Sequence, residues 1–287
     1  MSNADESVTA RAAFERDLKE FALTFREGIS TPEGDWTIKG FVDVFKNVYT
    51  ISSDTKIVSK VLELHLFPLL VEFAASKNYR IVLADHQNYY PDLTFIDVDD
   101  PTKKFAVDLK TTYRRADKPG YCNGFTLGSH GQYFTDRTST KNIQFPYAEY
   151  DGHFCLGIIY DRAVSAEIDE TTKTDIANVE SITSVISNID FFIAEKWKIA
   201  SDKGGSGNTA NIGSITYIDD IVNGHGMFAD LGEDWFDDYW INFKKISHTD
   251  SAGLVKRITN LLDFVAFKGG PVEMVKQKRG IRNSPKA

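Results

Sequence analysis

The chain of 287 residues is 42% hydrophobic and 13% aromatic, enough for a substantial core and too apolar for a disordered or fibrous protein. Its net charge of −8 argues, taken alone, against a nucleic-acid partner, and its 2 cysteines, Cys122 and Cys155, exclude a disulfide framework or a structural zinc site. No apolar run approaches the roughly 18 residues needed to span a membrane, and the polar N-terminus is not a signal peptide, so reduced thiols in a cytoplasmic protein are expected.

In chain order, residues 1–12 read as a loose tail. Residues 13–26 carry Phe14, Leu18, Phe21, Ala22 and Phe25 on one helical stripe. Ser53 or Asp54 can cap a helix through IVSKVLELHL, which Pro68 should kink or interrupt before it resumes through LLVEFAAS. YRIVLA (79–84), LTFIDV (93–98) and FAVDLKTTY (105–113) are rich in β-branched and aromatic residues, and Asp99-Asp100-Pro101-Thr102 is a turn by composition. FCLGIIYDR (154–162) reads as a buried strand, residues 163–190 as a mixed acidic insert, FIAEKWKIA (192–200) as another strand and GGSGNTANIG (204–213) as a loop. Residues 233–245 and 253–268 look helical. The expected fold is α/β, a mixed β-sheet flanked by helices, with one domain over 13–268 and a basic tail over 269–287.

Charge is unevenly distributed. Residues 103–141 are net +5 and residues 241–287 net +7, so the remainder carries −20. Basic patches on an acidic chain suit a polyanionic partner, although an ordinary charged surface would look the same.

If the chain turns near residue 100, positions i and 200 − i face each other across an antiparallel pair. Asp92 and Asp108 then sit side by side, at a cross-strand distance of about 5 Å. Alternation along the strand puts Asp108 and Lys110 on one face and Val107 and Leu109 on the other. Two carboxylates and one ammonium therefore converge at the edge of an apolar hairpin, with only Lys110 and a bound cation at hand to neutralise them. Mg²⁺ prefers such oxygen ligands, and held there it would bind a scissile phosphate oxygen and activate a water. Lys110 can orient or help deprotonate that water. Zinc is not expected, because no His or Cys lies near in sequence. An Asp–Asp–Lys cluster can equally be a solvated surface network.

Pro91-Asp92 followed by Asp108-Leu109-Lys110 resembles the PD-(D/E)xK nuclease motif. The stretches SDTKIVSKVLELHLFP (53–68), QNYYPDLTF (87–95), KKFAVDLKTTY (103–113), FTLG (125–128), TKNIQFPYAEY (140–150), KWKIASDKGGSGNTANIGSI (196–215) and DYW (238–240) are similar, in order, to a family of type II restriction endonucleases. The resemblance implies a restriction-endonuclease-like core and a homodimer that binds double-stranded DNA. It implies Mg²⁺-dependent cleavage of both strands of a palindrome, GATATC cut at its centre to blunt ends with 5′-phosphates. Asp92 and Asp108 match the metal-binding carboxylates, Lys110 the catalytic lysine, and Glu63 a carboxylate that assists with metal. Gly205, Ser206, Gly207, Asn208 and Thr209 match a major-groove recognition loop. Glycines there allow close approach to base edges, and an Asn can pair with adenine. Gln87 and Asn88 match a minor-groove loop, and Thr111, Thr112 and Lys141 match positions that touch or steer the DNA backbone. The chain departs from the family pattern at His86, at Ala210 and in a longer segment, 128–139.

Other readings compete. GSGNTA (205–210) fits a dinucleotide fingerprint, but the β-branched NIGSITYIDD that follows lacks the required helix. No Lys-Ser/Thr follows the glycines, which excludes a Walker loop and leaves no nucleotide cofactor expected. The six histidines show no metal-ligand spacing, and no G-x-S-x-G is present. A repair or junction-resolving nuclease would share the metal motif without the recognition loop. A non-catalytic DNA-binding relative would be expected to lose one of the three motif residues.

Overall fold

The computed structural model describes residues 3–86, 88–164, 168–205, 210–249 and 255–283. Its centre is a five-stranded mixed sheet built from β3 (Tyr79–Leu83), β4 (Leu93–Asp97), β5 (Lys104–Tyr113), β7 (Gly152–Arg162) and β9 (Ile186–Glu195), in the order β3-β4-β5-β7-β9. The β5–β7 pair is parallel and the other neighbours are antiparallel. In the β4–β5 hairpin Leu93 faces Val107, Thr94 faces Ala106 and Phe95 faces Phe105, the register that the turn near residue 100 predicts.

Each face of the sheet carries its own core. On one, α1 (Asn3–Ala22), α2 (Phe25–Ile29) and α3 (Thr55–Ser76) cover Phe95, Phe105, Val107, Phe154 and Leu156. The Phe14 ring lies parallel to that of Phe105 with centroids 4.3 Å apart, and each such buried aromatic contributes roughly 1.5–3 kcal/mol. The other face presents Ala106, Cys155, Ile159, Phe192 and Ala194 to a second cluster that includes Phe236, Tyr239 and Trp240 of α7 (Glu233–Asn242). Also on this side are β6 (Thr126–Ser129), α4 (Gln132–Thr135), α5 (Lys196–Ile199) and β10 (Ala200–Gly204). They are followed by β11 (Asn211–Ser214), with β10, β11 and β6 forming a three-stranded sheet. A further sheet joins β1 (Gly40–Val42), β2 (Asn47–Thr50) and β8 (Lys173–Asp175). Among the described residues, no helix is long and apolar enough to cross a membrane.

Several sequence expectations are corrected. The N-terminal stretch is not a loose tail: α1 starts at Asn3, Ser7 Oγ donates to Asp151 at 2.6 Å, and Arg11 reaches Glu233 at 2.7 Å and also Glu195. Asp54 caps α3, accepting from Lys56 N at 2.9 Å, but Pro68 does not break the helix. Pro68 and Leu64 lie on its exposed side, where water can satisfy the Leu64 carbonyl left without a donor. Residues 192–200 are not one strand: β9 ends at Glu195 and the chain makes a helical turn before β10. The 204–213 segment is flanked by paired strands rather than being loop throughout, and 163–190 contributes β8 and the start of β9. Among the described residues of 253–268 the helix is α8 (Leu261–Phe267), and 255–257 forms a strand with 247–249. The basic C-terminal stretch is helical over α9 (Val272–Asn283).

Candidate active site

The hairpin register carries Asp92 to the side of Asp108. Asp92 N donates to Asp108 Oδ1 at 3.1 Å, and Leu109 N, the residue after Asp108, donates to Asp92 Oδ2 at 2.8 Å, so each carboxylate is held by a backbone N–H of the facing segment. Lys110, two residues along β5 on the same face, places its ammonium 3.4 Å from Asp92 Oδ2 and 3.1 Å from Asp108 Oδ2. The expected Asp92–Asp108–Lys110 cluster is therefore assembled. It is not at an edge, because β5 is the middle strand of the sheet and Asp108 is 3% exposed.

A second lysine completes it. Lys196, the first residue of α5, donates to Asp108 Oδ2 at 2.9 Å from a buried position, with its ammonium 3.7 Å from the Tyr90 ring centroid. The expectation that only Lys110 and a bound cation can balance the carboxylates is thus incomplete. Lys196 is 88 residues from Asp108 in the chain, beyond the reach of local pattern reading. Its signal in the sequence is a charged triplet, Glu195, Lys196 and Lys198, inside the otherwise apolar run FIAEKWKIA. Cys155 and His153 also arrive from β7. Cys155 is the register partner of Asp108, and His153 Nδ1 lies 2.9 Å from the Tyr90 hydroxyl.

These contacts set the ionisation. Burial raises the Asp92 carboxyl above its ordinary value; Lys110 offsets part of this, and the Asp108 and Glu63 charges add to it. Burial pushes Asp108 up as well, but Lys110 and Lys196 outweigh it and hold that carboxyl at about 2. Burial alone would lower Lys110, yet Asp108 and Asp92 keep it above its usual range. Burial depresses Lys196 against the pull of Asp108. Burial also pushes the Cys155 thiol up to about 12, so it stays protonated and is a poor metal ligand.

The donor set fits a hard divalent cation. Two carboxylates converge, and both hydrogen bonds to Asp92 among the described residues fall on Oδ2. Mg²⁺ takes one or two carboxylates and keeps waters. Among the described residues no group of three or more His, Cys, Asp and Glu is gathered for a metal. Glu63 accordingly stands apart, half-buried on α3 and paired with Lys60 at 2.7 Å, although its charge reaches Asp92.

The other sequence candidates divide. Gln87, Ser206, Gly207, Asn208 and Thr209 lie outside the described residues. Gly205 ends β10's pairing, donating to Asn211 O at 2.8 Å; a Cβ there would come within 2.6 Å of Thr126 Cγ2, so glycine is needed for close packing on β6. Exposed Asn88 and exposed Lys141 are brought near each other, because Tyr90 N donates to Asn142 O at 3.1 Å and Gln144 N to Tyr90 O at 2.8 Å. Thr112 is buried and gives its hydroxyl to Gly124 O at 3.1 Å, which ties β5 to the 122–125 segment. Thr111 is half-buried and alternates to the face opposite Lys110. His86 is exposed beside Tyr89, and the Ala210 carbonyl accepts from His130 N at 2.8 Å. The longer 128–139 segment folds inward: Tyr133 stacks parallel to Tyr90 at 5.4 Å, and Arg137 pairs with Asp237 at 2.6 Å.

A mixed sheet with an Asp pair and a lysine on adjacent strands defines a restriction-endonuclease-like nuclease of the PD-(D/E)xK type. The family model described as "Restriction endonuclease EcoRV" matches residues 32–269, and the chain belongs to that family. It is similar to the "Type II restriction enzyme EcoRV" of Escherichia coli, 35% identical over 213 residues that cover 74% of this chain and 84% of that protein. Among solved structures it is similar to "NlaIV restriction endonuclease" at 12% identity and a TM-score of 0.38, covering 69% of this chain and 66%, just under two thirds, of the other.

Proposed function

We propose that the chain is a homodimeric type II restriction endonuclease that cuts both strands of duplex DNA at GATATC, at the centre, leaving blunt ends with 5′-phosphates, with Mg²⁺ as cofactor. The observation that carries this reading is the mutual locking of Asp92 and Asp108 with Lys110 within 3.4 Å of both. Asp92 and Asp108 would hold the cation, with Glu63 assisting from α3. Mg²⁺, when bound, would supply positive charge to a scissile phosphate oxygen and make a bound water more acidic.

The protein's own groups do the rest. Lys110, held between Asp92 and Asp108, would orient or help deprotonate the attacking water and add positive charge beside the phosphoryl oxygens. Gly205, Ser206, Gly207, Asn208 and Thr209 would read base edges in the major groove, and Gln87 and Asn88 would approach the minor groove. Lys141, exposed beside the Asn88 loop, would contact phosphate, and Thr111 and Thr112 would touch or steer the DNA backbone.

A palindrome cut on both strands calls for two copies related by a two-fold axis. An apolar face is available for self-association on the β1–β2–β8 sheet and its turn, where Phe41, Val42, Val44 and Phe45 are exposed. The test is digestion of a plasmid carrying one GATATC, with Mg²⁺ or with EDTA, followed by sequencing of the ends. Mg²⁺-dependent blunt cutting at that site is expected. Discrete cutting elsewhere would overturn the assigned sequence and point to His86, Ala210 and 128–139. No cutting with any divalent metal would overturn the nuclease reading.

A further inference from the structure

Two ammonium groups share Asp108, and they are held very differently. Lys110 is 20% exposed and divides its contacts between Asp92 and Asp108. Lys196 is 6% exposed, and Asp108 is its ion-pair partner at 2.9 Å. Its ammonium is caged by the Tyr90 ring on one side and by the backbone of Gly128 on another. Gly128 has a φ of 99°, and a Cβ there would lie 3.3 Å from Lys196 Nζ, so glycine leaves room for the ammonium. Tyr90 is fixed in turn by Tyr133, stacked at 5.4 Å, and by His153 at 2.9 Å. Lys196 is thus buried and held at its ammonium by Asp108 and the Tyr90 ring.

The arrangement separates two jobs that one lysine cannot do together. A lysine that serves water and phosphate must leave the carboxylate it neutralises. A buried carboxylate stripped of its counter-charge costs several kcal/mol. With Lys196 fixed on Oδ2, Asp108 stays paired and oriented whether or not Lys110 is in contact.

We propose that Lys196 is a positioning residue: it clamps Asp108 Oδ2, frees Lys110 for the reaction, and by its fixed positive charge keeps cation affinity at the carboxylate pair low. The inference rests on the reading of Asp92 and Asp108 as the cation site. It predicts opposite changes in two quantities when Lys196 is neutralised. A fixed cation on the carboxylate that would hold a divalent ion repels that ion, so its removal should tighten binding by roughly tenfold or more. The reaction slows, because Lys110 is drawn onto Asp108 as its remaining partner and the carboxylate loses its clamp; a misplaced active-site group costs on the order of a hundredfold.

The test is Ca²⁺ binding by calorimetry on the full chain, together with single-turnover cleavage at saturating Mg²⁺, for wild type, Lys196→Met and Lys196→Gln, with Asp108→Ala as the site control. Lys196→Met is expected to bind Ca²⁺ more tightly and cleave about a hundredfold more slowly. Lys196→Gln keeps a donor for Asp108 Oδ2 without the charge. It is expected to bind Ca²⁺ as tightly as the Met variant and to recover part of the cleavage rate. It also serves if the Met variant does not fold. Unchanged or weaker Ca²⁺ binding in a folded variant would overturn the role of Lys196 while leaving the cation site in place. Ca²⁺ binding by wild type that survives Asp108→Ala, or no binding by wild type, would overturn the cation site itself and the inference with it.

Discussion

The β4–β5 hairpin and the run from β9 through α5 to β10 meet at Asp108, and they were specified by different physics. In the hairpin everything needed is local. A four-residue turn fixes the register, alternation fixes the face, and Asp92, Asp108 and Lys110 follow from arithmetic on residue numbers. In the second region the same alternation misleads. Residues 192–200 are apolar enough to read as one strand, but β9 stops at Glu195, where Arg11 of α1 and Lys198 converge on the carboxylate. The chain turns helically there and delivers Lys196 to a partner 88 residues away. Periodicity identifies which face of an element is buried; it does not identify what a buried charge is paired with.

The same contrast explains what else was legible. The central strands and α3 stand where composition and caps put them, because their signals lie within one element. Continuity of α3 through Pro68 was not legible, since it depends on which side of the helix faces water. Nor was Cys155, adjacent to Asp108 only through the parallel β5–β7 register. The recognition loop and Glu63 were singled out by family resemblance alone, and no spacing rule would have chosen them.

The comparison can be broken at several points. The largest effect is expected from the hairpin: Lys110→Met should slow single-turnover cleavage by roughly a thousandfold in a variant that still folds. A loss below tenfold would assign its task to Lys196. Beside the second region, Gly157 of β7 lies between Lys110 on β5 and Phe192 on β9, and a Cβ there would fall within 2.0 Å of the Phe192 ring. Gly157→Ala should therefore destabilise the fold by about 1–3 kcal/mol in urea melts, and a neutral result would mean that β9 can shift without cost. Asn208→Ala should weaken binding to the specific duplex by about 1–3 kcal/mol in Ca²⁺ and leave random-sequence binding nearly unchanged. Equal losses on both duplexes would remove the loop from base reading.

The smallest effect is on pH, and it separates the two carboxylates. The Asp108 carboxyl is held at about 2, so its stabilising contribution is complete above the ordinary value of 3.8 and is lost as pH falls from there towards 2. Asp92 is raised, so the native state loses its ionised form at a pH above 3.8, and this carboxyl contributes stability that is complete below 3.8 and is lost as pH rises from there through its raised value. Cleavage that needs both carboxylates ionised should therefore fail on the acid side before Asp108 ceases to stabilise the fold. Parallel single-turnover profiles and melting curves would show two separate limbs, and coincident limbs would mean that Asp92 and Asp108 titrate as ordinary surface acids.

The most direct test of the central claim, that the hairpin register builds one cation site from Asp92 and Asp108, is the Mg²⁺ dependence of single-turnover cleavage for Asp92→Ala, Asp108→Ala and Glu63→Ala. The account predicts that each aspartate variant loses cleavage by at least roughly a thousandfold at every Mg²⁺ concentration, while Glu63→Ala retains a rate that rising Mg²⁺ restores in part. Near wild-type cleavage by either aspartate variant would contradict it.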